Sequence, residues 1–356
     1  MDTNWYTPWP RSIVAELTEE LDFPLAIRLG ATTAEPVITI GGDSAPIDEL
    51  LALNERVLED VYPTRAGESA PARTLSWDKR SPAVCKSKTA RPRVAIPVFP
   101  GTNCEYDSAR ACLRAGLEPE IVVVRNLTAS ALEESALALE KAIRAAQILF
   151  LPGGFSGGDE PDGSAKFICS FLRNGRLTDA VHDLLKRRDG LMLGICNGFQ
   201  ALIKLGLVPY GDIRPITAYD PTLTFNTIGR HQSMLVRTRI ASTGSPWLSK
   251  CEVGEQFTVA ISHGEGRFVA PQEVLDTLMK NGQIATQYVD IEGDPTMDQR
   301  YNPNGSVLAI EGITSPDGRV FGKMGHSERS GEYLYKNVTG DKYQPIFEGG
   351  VDYFKI

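Results

Sequence analysis

Histidine is scarce in this 356-residue chain, which holds only His182, His231, His263 and His326. Any imidazole chemistry therefore has four candidates. The six cysteines (Cys85, Cys104, Cys112, Cys169, Cys196 and Cys251) include no C-x-x-C pair. Thiols scattered along so long a chain fit a reduced, cytoplasmic protein, with no disulfide frame and no metal site expected. No run of about 18 apolar residues occurs, so no membrane-spanning helix is expected. Met1–Pro10 is rich in Trp and Pro and lacks the basic-then-apolar order of a secretory signal. There is no G-x-x-x-x-G-K-[ST], and no G-x-G-x-x-G follows the first expected strand, which removes two common phosphate cradles. Positive charge is also in deficit. Thirty-seven Lys and Arg against 45 Asp and Glu give a net charge of −8, a balance that repels nucleic-acid phosphates.

What is present is apolar enough, at 42% hydrophobic residues, to bury a sizeable core. Three regions differ in texture. Residues 1–64 carry one helix-like stretch (Ile47–Val61) and one short apolar run (Pro36–Ile40), too little for a strong core of their own. Residues 65–92, rich in Pro, Ala, Ser and basic side chains without apolar periodicity, read as a linker. Residues 93–356 open with alternating strand and helix signals. Strands are expected at Val94–Phe99, Glu120–Val124, Ile148–Leu151 and Leu191–Ile195. Helices are expected at Glu105–Ala115, closed by Gly116, from a Ser130/Glu133 capping box to Ala145, at 164–174 and 178–188, and at Gly198–Leu205. Further strands are expected at Met234–Ile240, Thr258–Ser262, Val307–Ile313 and Val320–Met324. Strand–helix alternation predicts an α/β three-layer sandwich with a mostly parallel central sheet. Ligands of such sheets bind beyond the carboxyl ends of the strands, where the loops Pro152–Gly158 and Gly194–Gly198 lie.

The second of these loops carries the strongest chemical signal. In Gly194-Ile195-Cys196-Asn197-Gly198 a nucleophile stands between strand and helix with glycine two residues to either side, the pattern of a nucleophile elbow. A cysteine at a helix N-terminus is favoured as thiolate, the reactive form. The same residues also fit a buried structural cysteine before an ordinary turn. A base is offered by His326, with Glu328 two residues on to orient its ring. The loop Pro152-Gly153-Gly154-Phe155 offers backbone N–H groups for an oxyanion, with the N–H of Asn197 as second donor.

Taken in order, the Pro-Gly-Gly loop, the G-x-C-x-G elbow and the carboxyl-terminal H-x-E resemble the class I, triad-type glutamine amidotransferases. Four stretches narrow the likeness: Phe99–Glu105 (FPGTNCE), Gly153–Ser156, Cys196–Gln200 and Ser262–Phe268 (SHGEGRF). Together they resemble the glutaminase part of phosphoribosylformylglycinamidine synthase over residues 91–356. Residues 23–64 are similar to the tail of the synthetase part in the large fused form of that enzyme.

The resemblance implies a flavodoxin-like fold and a glutamine-derived thioester on Cys196, with His326 as acid and base and Glu328 as its partner. It implies Gly154 and Asn197 as oxyanion donors, Gln200 and Phe155 at the substrate, and His263 and Asn103 at the site or an interface. It also implies a synthetase partner that carries ATP and Mg²⁺, with no cofactor and no metal on this chain, and no nucleic acid or membrane contact. Two departures stand out. Ser327 replaces the family's Pro between histidine and glutamate, and Asp159–Gly163 differs from the family's loop. A ThiJ/PfpI-type cysteine hydrolase, or a non-catalytic subunit docking on a synthetase, remain as alternatives.

Overall fold

The computed structural model describes residues 12–19, 21–64, 71–156 and 164–355. The chain divides after Thr64 into two units.

The smaller unit holds a hairpin, β1 (Val37–Ile40) with β2 (Asp43–Pro46), and a helix, α1 (Ile47–Glu59). Gly41, at φ 70°, supplies the left-handed residue of the hairpin turn. Asp48 and Glu49 in the first turn and Arg56 in the last match the helix dipole. No residue of α1 is buried.

The larger unit is built on a nine-stranded sheet. Its first half is β3 (Arg93–Val98), α2 (Glu105–Ala115), β4 (Glu118–Val123), α3 (Ala129–Ala145), β5 (Ile148–Leu151), α4 (Lys166–Leu172), α5 (Gly175–Lys186), β6 (Leu191–Ile195) and α6 (Asn197–Leu205). A one-turn α7 (Leu207–Tyr210) and a short strand, β7 (Thr222–Thr224), lead to the second half. That half comprises β8 (Gln232–Ile240), β9 (Gln256–His263), β10 (Arg267–Val269), α8 (Gln272–Lys280), β11 (Ile284–Val289), β12 (Ile310–Thr314), β13 (Val320–Lys323) and α9 (Ile346–Phe354). Strand order is β4-β3-β5-β6-β13-β12-β11-β8-β9, while β7 and β10 pair apart. Pairing is parallel from β4 to β13 and antiparallel beyond, so only β12 and β8 run against the rest.

Chain direction assigns the layers. From β3 to β4 the chain steps one way across the sheet, and from β4 to β5 and β6 it steps the other way. Right-handed crossovers then place α2 on one face and α3 to α5 on the opposite one. Contacts of α2 with α9, and of α3 with α5, agree. Every residue of β5 (ILFL) and β6 (LMLGI) is buried, as strands covered on both faces require. The three-layer α/β architecture expected from the sequence is therefore present.

Two local readings need correction. The cap of α3 is Thr128, whose hydroxyl accepts from Ala131 N at 3.1 Å; Ser130 lies inside the helix and donates to Glu134. Residues 71–92 are strapped along the body and do not hang as a linker, while 65–70 lie outside the described residues. Trp77 exchanges backbone bonds with Ala241 and Thr243 at 2.8 and 3.0 Å. Arg80 donates to the carbonyls of Leu248 and Cys251 at 3.1 and 2.7 Å, and Cys85 is buried. Each anchor fits its own socket, so no period marks them in the sequence.

Candidate active site

Strands β3, β5, β6 and β13 are consecutive in the sheet and parallel, so their carboxyl ends meet at one edge. Four loops of very different sequence position converge there: Phe99–Cys104, Pro152–Phe155, Cys196 and Met324–Glu328. The sheet, not proximity in sequence, assembles the site.

Cys196 is the residue between β6 and α6, at φ 53° and ψ −107°. This backbone is rare for a residue with a Cβ and costs about 1–3 kcal/mol, which the surroundings must hold in place. They do so through Cys196 N donating to Lys323 O at 2.8 Å and Gln200 N donating to Cys196 O at 3.0 Å. The flanking glycines are steric necessities. A Cβ on Gly198 would fall on the Leu151 carbonyl, and one on Gly194 would lie 2.6 Å from Leu202 Cδ1. Cys196 itself is the residue that caps the N-terminus of α6.

His326 follows β13 and is held by its own N–H, which donates to Ala260 O at 2.8 Å. Its Nδ1 lies 2.6 Å from Glu328 Oε1, and both side chains are buried. An ionised carboxylate only accepts, so Nδ1 carries the proton and Nε2 is left for the thiol. Burial by itself lowers the imidazole's proton affinity. The Glu328 carboxylate and the Cys196 sulfur outweigh it, and His326 stands well above the usual histidine range. The H-x-E geometry thus survives Ser327. Gly153 packs where both groups meet: a Cβ there would lie 2.7 Å from His326 Cε1 and 3.5 Å from Cys196 Cβ.

Next to it, Phe155 N donates to Gly101 O at 2.8 Å and Asn103 N to Gly153 O at 3.4 Å, forming the bridge of Thr102 with Gly154. Those two bonds flank Gly154, so its own N–H stays outside the ladder. Gly154, Phe155, Ser164, Cys196, Asn197, Gln200 and His263 enclose a small pocket. Its floor is one continuous chain of hydrogen bonds. Ser156 Oγ donates to Asn197 Oδ1 at 2.6 Å, Asn197 Nδ2 to Gln200 Oε1 at 2.8 Å, and Gln200 Nε2 to Glu265 O at 2.5 Å. The Gln200 amide is thus engaged on both ends in shaping the pocket.

His263 closes another side and is fully buried. Burial first, then the nearby His326 and His231, push it down to about 3, so it is neutral. Neither of its nitrogens has a hydrogen-bond partner among the described residues. Asn103 is outside the pocket; its Oδ1 accepts from Cys104 Sγ at 3.1 Å. Residues 159–163, where the sequence departs from the family, lie outside the described residues.

Sequence reasoning missed the support beneath His326. Lys323 and Glu311 form a fully buried ion pair at 3.3 Å. Lys323 Nζ also donates to Gly325 O at 2.9 Å and to Ser327 Oγ at 2.8 Å, and Ser327 donates to Gln344 Oε1 at 2.6 Å. The serine that replaces proline is therefore a member of this network. Cys104 has its sulfur 3.9 Å from His326 Nδ1 and accepts from Arg329 Nη2 at 3.0 Å. No local motif marks either arrangement.

Residues 91–354 match the CobB/CobQ-like glutamine amidotransferase domain. The chain is 33% identical over 254 residues to a phosphoribosylformylglycinamidine synthase subunit PurQ of Aquifex aeolicus, covering 70% of this chain and 95% of that one. It is 35% identical to the PurQ of Picrophilus torridus, over 74% of this chain and 96% of the other. Among solved structures it is similar to a chain of PurLQS from Thermotoga maritima, at 26% identity and a TM-score of 0.54, covering 74% of this chain and all of that one.

Proposed function

This chain belongs to the CobB/CobQ-like glutamine amidotransferase family, in its phosphoribosylformylglycinamidine synthase branch, and from that premise we propose that Cys196 hydrolyses glutamine for that synthesis. The ammonia released is passed to a synthetase partner, which converts formylglycinamide ribonucleotide to the amidine. The observation that carries this reading is the meeting of the Cys196 elbow and the His326–Glu328 pair beside Gly153.

The chemistry is a two-step acyl transfer. The Cys196 thiolate adds to the amide carbon, and the charge that develops on oxygen is met by the N–H groups of Gly154 and Asn197. His326 gives its Nε2 proton to the departing nitrogen. The C–N bond breaks, ammonia leaves and a glutamyl thioester remains. Water then attacks the thioester, His326 takes its proton, and glutamate leaves as the thiolate is restored. Glu328 holds the ring and stabilises its charged form. Phe155 and the Gln200-braced floor shape the pocket, and a bound glutamine gives a His263 nitrogen the partner it lacks.

A synthetase domain or subunit is supported by the subunit names of the relatives and by the chemistry, since ammonia released to bulk water becomes ammonium. ATP and Mg²⁺ belong to that partner in this reading, and a reducing cytoplasm suits the six free thiols. No helix among the described residues is long and apolar enough to cross a membrane. The Cys–His–Glu set and the family match disfavour both a ThiJ/PfpI-type hydrolase and a non-catalytic subunit.

Replacing Cys196 with Ala should lower glutamine hydrolysis by at least about 10³-fold and end labelling by a glutamine-like electrophile. With the synthetase present, ammonium salts should still support amidine formation by the variant. Undiminished hydrolysis would remove the assignment.

A further inference from the structure

We propose that Cys104, His326 and Glu328 form a binding site for a zinc-class divalent cation, and that its occupation shuts the glutaminase off. The binding half stands on geometry alone. The inhibitory half rests on the role proposed for His326.

One sulfur, one imidazole nitrogen and one carboxylate oxygen from these residues lie within 4.8 Å of one another, all of them buried. A thiolate, an imidazole and a carboxylate are the donor set of a borderline-soft ion, and three protein ligands leave the fourth tetrahedral position open. Nδ1 of His326 is the middle of the group, 2.6 Å from Glu328 Oε1 and 3.9 Å from Cys104 Sγ. Ligands of a tetrahedral zinc ion stand roughly 3.3–3.8 Å apart. One contact must therefore widen and the other shorten slightly, both within the reach of side-chain rotation.

The surroundings prepare the sulfur. Arg329 Nη2 donates to Sγ at 3.0 Å and fixes its position. Its guanidinium would also oppose a cation, and Asp107, with Oδ2 3.8 Å from Arg329 Nε, offsets that charge. Cys104 and His326 are 222 residues apart, so no C-x-x-H spacing announces the set.

A metal here replaces the proton on Nδ1 and the proton of the Cys104 thiol, and both go to solvent. A neutral imidazole bound through Nδ1 keeps its remaining proton on Nε2. It then has no lone pair with which to take a proton from the thiol or from water, and Glu328 is withdrawn from the ring. Turnover stops although Cys196 is untouched.

The test uses the full-length chain with Cd²⁺ or Zn²⁺ chloride as the only added metal. Cd²⁺ titration, followed by the thiolate-to-metal charge-transfer band and by calorimetry, should show a single tight equivalent in the unaltered chain and in Cys196→Ala. Cys104→Ser and Glu328→Gln should each weaken that binding by at least about tenfold. The second substitution is isosteric and guards against a folding defect in the first. Binding in Cys104→Ser within twofold of the unaltered chain, or its loss in Cys196→Ala, overturns the site. In hydrolysis assays Zn²⁺ should inhibit the unaltered chain reversibly. Cys104→Ser, normalised to its own metal-free rate, should need at least about tenfold more. Tight Cd²⁺ binding with no effect of Zn²⁺ on hydrolysis would overturn the inhibitory half and His326 as base, while leaving the binding site in place.

Discussion

His263 is neutral in the fold because burial pushes it down to about 3, against about 6.5 for a free histidine. Between those values the unfolded chain holds a proton that the folded chain does not. Stability from this residue is therefore complete above pH 6.5 and is lost as pH falls toward 3, by about 1.4 kcal/mol per pH unit for one proton. His326 has the opposite sign. Raised in the fold, it contributes fully below pH 6.5 and loses that contribution at higher pH, so it adds no slope on the acid side. His263→Asn should accordingly lose less stability than the unaltered chain between pH 6 and pH 4.5. Urea midpoints at both values check this, and equal slopes in the two proteins would sink it. At this scale the sequence was legible where a spacing rule applies. Gly194 and Gly198 announce the elbow because each position excludes a side chain. Cys104 carries no such signal, because it meets His326 only where β3 and β13, with β5 and β6 between them, open on the same edge of the sheet, which no local pattern encodes.

Among the elements, the short parallel strands read well because burial on both faces leaves uninterrupted apolar runs, as in β5 and β6. β11 did not. Its Thr286 and Gln287 are buried, with Thr286 donating to Glu311 at 2.5 Å and Gln287 accepting from Leu75 N at 3.0 Å, so the run IATQYV shows neither alternation nor continuity. The same carboxylate links β12 to β13. Glu311 accepts from Thr286 and from Gly325 N at 2.6 Å and pairs with Lys323, which in turn holds Gly325 and Ser327 on either side of His326. Lys323→Met removes the cation and strands a buried carboxylate, a loss of about 3–5 kcal/mol. Lys323→Met combined with Glu311→Gln should cost clearly less than the sum of the single changes, because neither charge is left alone. Hydrolysis should fall in Lys323→Met as the loop bearing His326 loosens. Thermal unfolding of the three variants measures the coupling, and strict additivity would deny that these residues act as a unit.

At the scale of the molecule, the division after Thr64 and the strap at 71–92 make different demands on stability. The larger unit has its own buried core, whose members run from Cys85 onward, with Ala72, Leu75 and Ala83 packed against it. The composition that suggested a linker misled for a physical reason. A strap needs isolated anchors with hydrogen-bonding backbone between them, not a periodic apolar face, and Pro-rich extended chain supplies that. Trp77 illustrates the fit, for its ring covers Gly282, where any side chain would collide with it. Removing residues 1–64 should therefore leave the urea midpoint of the larger unit unchanged. Extending the deletion through residue 92 removes the Trp77 backbone pair, the Arg80 bonds to Leu248 and Cys251, and the cover over Gly282. At about 1 kcal/mol per hydrogen bond, plus the apolar area newly exposed, the loss should reach about 4 kcal/mol or more. Midpoints of the two truncated chains against the full one decide it. A large loss from the first cut, or none from the second, would mean that the boundary of the folded body lies elsewhere.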